Sequence, residues 1–140
     1  MLFRLIGIGV TVFLLNQATG IGGEQMTYLM NVVKITLTQH EVDSIVHLIY
    51  TDKVLANDQR LPWLSDDEWA EFIRYQMQSK TEGRDTAADL WGVPYRVRET
   101  DRVPGRDGAG FVVRSAGPDG KSETRDDIVG GRAYRRGEGF

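Results

Sequence analysis

Apolar side chains change rhythm several times along this chain, and each change marks an element. Leu5 to Leu15 is an apolar run of eleven residues behind a single Arg4. A bilayer span takes about 20 residues, so this run reaches across only with its weakly polar flanks. Two readings stay open. One is a cleavable signal segment, with Arg4 as its basic start and the small residues Ala18 to Gly20 as its cleavage site. The other is a retained anchor with Arg4 on the cytoplasmic side. From about Glu24 to Asn57 the period becomes helical. Met26, Leu29, Val33, Leu37, Ile45, Leu48 and Ile49 approximate the i, i+3, i+4, i+7 spacing, with Lys34, Gln39, Glu41 and Asp43 elsewhere on the wheel. Continued from the anchor, such a helix would run about fifty residues, or about 75 Å. Gly20, Gly22 and Gly23 weaken it at the membrane exit. Pro62 closes it.

Ser65-Asp66-Asp67-Glu68 is a capping box, and it predicts a second helix to about Ser79 with an apolar stripe of Trp69, Phe72, Ile73 and Met77. Lys80 to Ala88 is a polar linker. Beyond it the period shortens to two. Tyr95 and Val97 alternate with Arg96 and Arg98, and Phe111 and Val113 share a face in a second β-rich run. Gly92 and Pro94 bracket a turn before the first strand, and the Pro- and Gly-rich stretch from Asp101 to Gly110 suits a long hairpin loop. Trp91 stands at the mouth of the hairpin, placed to pack between sheet and helix. After Asp127 the glycine- and arginine-rich sequence predicts little order. The expected division is therefore 1–22 as anchor or signal, 23–128 as an α+β domain, and 129–140 as a flexible tail. Because a small antiparallel sheet is not stable alone, the long helix must supply the surface it packs on.

Composition narrows the function. A chain of 140 residues, 41% hydrophobic and 26% charged, carries one domain with a modest core. A net charge of −3 gives no electrostatic reason to expect nucleic acid. The absence of cysteine removes disulfides and thiol chemistry. No nucleophile motif, phosphate loop or His-Glu-x-x-His stretch is present, so an enzyme is not expected. The candidate chemistry lies in the loop from Ala116 to Asp127. Asp119 and Asp126 can converge if the loop curls, and Gly117 and Gly120 let the backbone turn carbonyls inward, a donor set suited to Ca²⁺. It lacks the EF-hand spacing. The competing reading is a solvated acidic turn. His40 and His47 share a helix face with Asp43 but read as surface residues. Capping accounts for Asp66, Asp67 and Glu68. Trp63 and Tyr75 read either as core or as an exposed partner contact, and Arg132, Arg135 and Arg136 as a solvated tail or a contact to anionic lipid.

Asp89-Leu90-Trp91-Gly92-Val93-Pro94-Tyr95, followed by Ser115-Ala116-Gly117-Pro118-Asp119-Gly120 and Asp126-Asp127-Ile128, resembles the C-terminal half of the major pseudopilins of type II secretion systems. The family pattern is Asp-Pro-Trp-Gly-Asn-Pro-Tyr, then Ser-Leu-Gly-Ala-Asp-Gly, then an acidic Asp-Ile pair. The resemblance implies a pilin-like fold, with a long N-terminal helix on a small antiparallel sheet, a short second helix and a calcium loop. By position, Asp119 and Asp126 would be side-chain ligands of a structural Ca²⁺, Asp127 a further one and Ala116 a carbonyl donor. It also implies a structural role in a bacterial envelope, anchored in the inner membrane with the domain in the periplasm, and homo- or hetero-oligomeric contacts with other pilin or pseudopilin subunits. The N-terminus departs from the family. Pseudopilins carry a Gly-Phe-Thr-Leu-Ile-Glu processing site, and the nearest stretch here, Gly9-Val10-Thr11-Val12-Phe13, has no glutamate. A stand-alone exported binding module built on the same scaffold is the alternative.

Overall fold

The computed structural model describes residues 22–77 and 83–134. The reading of residues 1–21 as anchor or signal lies outside them, as do the expected end of the second helix and residues 135–140 of the tail. The chain divides into two units, residues 1–34 and 35–140, with the boundary inside helix α1 (Gly23–Ile49). In the first unit the described residues are the start of α1. Glu24 favours the positive helix end, and the Thr27 hydroxyl donates to the Gly23 carbonyl at 3.0 Å. Tyr28, Leu29, Met30 and Val32 are all exposed there, Tyr28 to 70%.

The second unit is α+β, as expected. Its helical part buries Thr38, Val42, Ile45, Val46 and Ile49. This face differs from the predicted stripe: Ile45 and Ile49 are in it, whereas Leu29 is exposed and Val42 and Val46 had no place in the pattern. Apolar residues occur on every side of α1, so their period alone does not select a face. The helix also ends sooner than Asn57. It passes at Ile49 into a π-helical turn, Tyr50–Val54, closed by the Leu55 N–H on the Tyr50 carbonyl at 3.0 Å. The Thr51 hydroxyl donates to the His47 and Leu48 carbonyls at 3.0 and 3.1 Å, competing where the ladder changes pitch. Asp58 and Gln59 then take left-handed backbone angles and turn the chain toward Pro62.

Helix α2 (Asp66–Met77) starts at the predicted cap. The Ser65 N–H donates to the Glu68 carboxylate at 2.8 Å, and the Glu68 N–H returns to the Ser65 hydroxyl at 3.3 Å. Trp69, Ile73 and Met77 are buried and Phe72 half-buried, close to the expected stripe. Strands β1 (Arg96–Thr100), β2 (Gly110–Ser115) and β3 (Ile128–Ala133) form one antiparallel sheet in that order. The register sets Val97 opposite Val113 and Val113 opposite Gly130 on one face. Arg96 and Arg114 stand opposite each other on the other face. Val97, Phe111, Val113 and Ile128 join Val42, Ile45, Ile49, Trp69 and Ile73 in a single core. Trp91 packs against that core, as its place at the hairpin mouth suggested.

Strand β3 corrects the reading of residues 129–140 as a flexible tail, because residues 129–133 pair with β2. Its glycines have a use that composition hides. A Cβ on Gly130 would stand 2.6 Å from a Val42 methyl, and one on Gly131 2.7 Å from the Phe111 carbonyl. Only bare backbone lets β3 lie this close to its neighbours. Arg132 follows with its guanidinium 3.7 Å over the Tyr50 ring, a cation–π contact. The Tyr134 hydroxyl then donates to Glu99 at 2.8 Å and accepts the Leu61 N–H at 3.0 Å, tying the end of the strand to the loop before α2.

Candidate functional site

The sequence between Asp89 and Asp127 folds around two carboxylates. Asp89 is 2% exposed. One of its oxygens accepts the Trp91 and Val93 N–H groups at 3.0 and 2.9 Å, an Asx-type turn that shapes Trp-Gly-Val-Pro. Gly92 completes that turn with φ at +84°. The other oxygen accepts the Ser115 hydroxyl at 2.6 Å, and Ser115 Oγ in turn accepts the Gly117 N–H at 3.1 Å. Asp89 thus joins the turn before β1 to the loop after β2. A buried charge is tolerable only with such donors.

Asp127 does the same at the far end of the loop. Its Oδ2 accepts the Glu123 N–H at 2.8 Å and Arg114 Nη1 at 3.0 Å. Its Oδ1 accepts the Thr124 N–H at 3.3 Å and the Thr124 hydroxyl at 3.2 Å. Burial pushes this carboxyl up, but the Glu123 and Thr124 N–H groups and then Arg114 outweigh it and hold the group below the usual carboxylate range. Between the two anchors, Gly117, Gly120 and Glu123 all take left-handed backbone angles. At Gly117 no side chain fits, because a Cβ would stand 2.0 Å from the Asp126 carbonyl.

The expected cation ligands are therefore divided. Asp119 is exposed, and its Oδ1 accepts the Lys121 N–H at 2.9 Å. Asp126 is exposed too. Ala116 is buried at the root of the loop. Asp127 faces inward with a carboxylate already filled: it offers about four lone-pair positions, and protein donors occupy them. Loop carbonyls are engaged as well, Gly117 by the Gly120 N–H and Thr124 by the Asp127 N–H. A Ca²⁺ ion asks for six to eight oxygens, and this donor set fits it poorly. Among the described residues no cluster of three or more His, Cys, Asp or Glu side chains is arranged to hold a metal. His40 and His47 are both exposed.

Two features of this region carried little signal in the sequence. Arg114, expected only as the polar alternate of β2, borders a cleft of about 80 Å³ between the sheet and the loop, lined also by Arg96, Arg98, Val112, Ser122 and Glu123. Glu41, expected on the polar side of α1, accepts the buried Tyr95 hydroxyl and pairs with Arg84, each at 2.6 Å. Burial and then the Glu41 carboxylate hold the Tyr95 phenol far above its ordinary pKa. Both partners lie more than forty residues from Glu41, beyond any local pattern. The aromatic pair weighed as a partner contact is exposed, Trp63 to 92% and Tyr75 to 76%. No family model, curated protein or solved structure matches the chain.

Proposed function

We propose that this chain is a non-enzymatic, pilin-like structural subunit or accessory of a type II secretion or related pilus-like assembly in a bacterial envelope, held in the inner membrane by its N-terminal segment and contacting other pilin-like subunits through α1. The observation that carries this reading is the exposure of Tyr28, Leu29, Met30 and Val32 at the start of α1, within the first unit. A helix surrounded by water does not keep several large apolar side chains uncovered without cost, and such exposure is read as a contact with protein or lipid. The resemblance of residues 89–128 to the pseudopilin pattern supports the same reading. Among the described residues no helix is long and apolar enough to cross a membrane, so the anchoring role rests on residues 1–22.

The chain has no cysteine, which makes the test simple. Leu29→Cys, Met30→Cys and an Asp107→Cys control on the exposed hairpin loop each introduce the sole thiol. Oxidation in membranes of cells making the full chain is expected to give cross-linked species at residues 29 and 30 and none at 107. Monomer at all three positions, with the chain in the released fraction, would reject assembly. That result would favour the second reading, an exported binding module, for which the solvent-exposed indole of Trp63 is the specific support.

A further inference from the structure

We infer that Arg114 supplies the positive charge that closes the C-terminal loop, so that the loop folds without a divalent cation. The inference stands apart from the assembly reading and holds whether or not the chain polymerises. Its basis is the set of donors on Asp127, whose side chain is 3% exposed against 34% for Arg114. The Arg114 guanidinium reaches Oδ2 at 3.0 Å from the strand that enters the loop, while Asp127 sits immediately before the strand that leaves it. One charge-assisted bond therefore spans the loop's two ends. Guanidinium does not deprotonate in proteins, so this charge is permanent.

The two amide donors fix the rest. Glu123 adopts φ +68°, an angle a non-glycine residue seldom takes, and its N–H points at Asp127 Oδ2. A divalent ion at Asp127 would have to displace the guanidinium and break the amide bonds that shape residues 123–127. The entry to the loop is closed independently by Asp89, Ser115 and the Gly117 N–H. Both ends are thus held by carboxylates with protein donors on both oxygens. The acidic side chains left over, those of Asp119, Glu123 and Asp126, face solvent.

Lys121 and Arg125 lie inside the loop and are trypsin sites, so cleavage there reports its opening. The full chain in non-ionic detergent is digested in millimolar calcium or in chelator, at matched ionic strength, as wild type, Arg114→Gln and Arg114→Lys. Cleavage of wild type after Lys121 and Arg125 is expected to proceed at one rate in both buffers. Arg114→Gln is expected to be cut there at least several-fold faster, and Arg114→Lys, which keeps the charge without the fork, at an intermediate rate. Protection of wild type by calcium would overturn the inference. So would an Arg114→Gln chain that resists cleavage as wild type does. The wild-type comparison decides the question even if a variant fails to fold.

Discussion

Four aspartates frame the C-terminal half of this chain, and they divide into an inner and an outer pair. Asp89 and Asp127 point inward, each filled by backbone N–H groups and one side-chain partner reached across the fold, Ser115 or Arg114. Asp119 and Asp126 point outward. All four are the same residue type, and the turns of the backbone together with one side chain across the fold assign their roles. Turns at Gly92 and Glu123 aim amides at the inner pair. The left-handed turn Gly117 to Gly120 carries Asp119 out to solvent, where it caps only Lys121. An acidic loop is thus weak evidence for a metal until its carboxylates are sorted by what already occupies them.

The largest effect expected on this division comes from Gly117→Ala, which acts on the backbone between the pairs. A methyl placed 2.0 Å from the Asp126 carbonyl forces the loop open, at an angle that itself disfavours side chains. We expect a loss of about 3 kcal/mol, the sum of a left-handed penalty and an overpacking term, read as a lower denaturant midpoint. A loss under about 1 kcal/mol would mean that the loop is not rigid enough to sort its carboxylates.

A smaller effect follows from acid. Asp127 has its folded pKa held below the unfolded value, so its stabilisation is present above the unfolded value near 4 and is lost as pH falls through the folded one. Asp66 and Asp85, each paired with an arginine, add to the same acid slope. Unfolding followed from pH 6 to pH 2 should show falling stability, and Asp127→Asn should flatten part of that slope. An unchanged slope in Asp127→Asn would place Asp127 with the outer pair.

Much of the fold was legible because its signals are local. Ser65 and Glu68 cap each other within one turn, the alternation around Val97 and Val113 gives the strands, and the Pro-Gly run after Thr100 gives the hairpin. What escaped depends on distant partners. Gly130 and Gly131 read as a flexible tail because glycine weakens isolated strands, yet here it admits β3 against Val42 and Phe111. The buried stripe of α1 was misjudged because the exposed apolar side chains Tyr28 to Ile35 blur its period. At the loop, Asp119 and Asp126 stand out in the sequence, whereas Arg114 looks like an ordinary solvent-facing strand residue until β3 brings Asp127 beside it.

The sharpest test replaces each of the four aspartates singly with asparagine in the full chain and measures the unfolding midpoints in one buffer containing chelator. Asparagine keeps the shape and removes the charge. Asp89→Asn and Asp127→Asn should each lose about 1–3 kcal/mol, the range for breaking charge-assisted bonds to buried groups. Asp119→Asn and Asp126→Asn should stay within about 0.5 kcal/mol of wild type, as surface changes do. A greater loss at Asp119 or Asp126 than at Asp127 would contradict the inward and outward assignment on which the account of the loop depends.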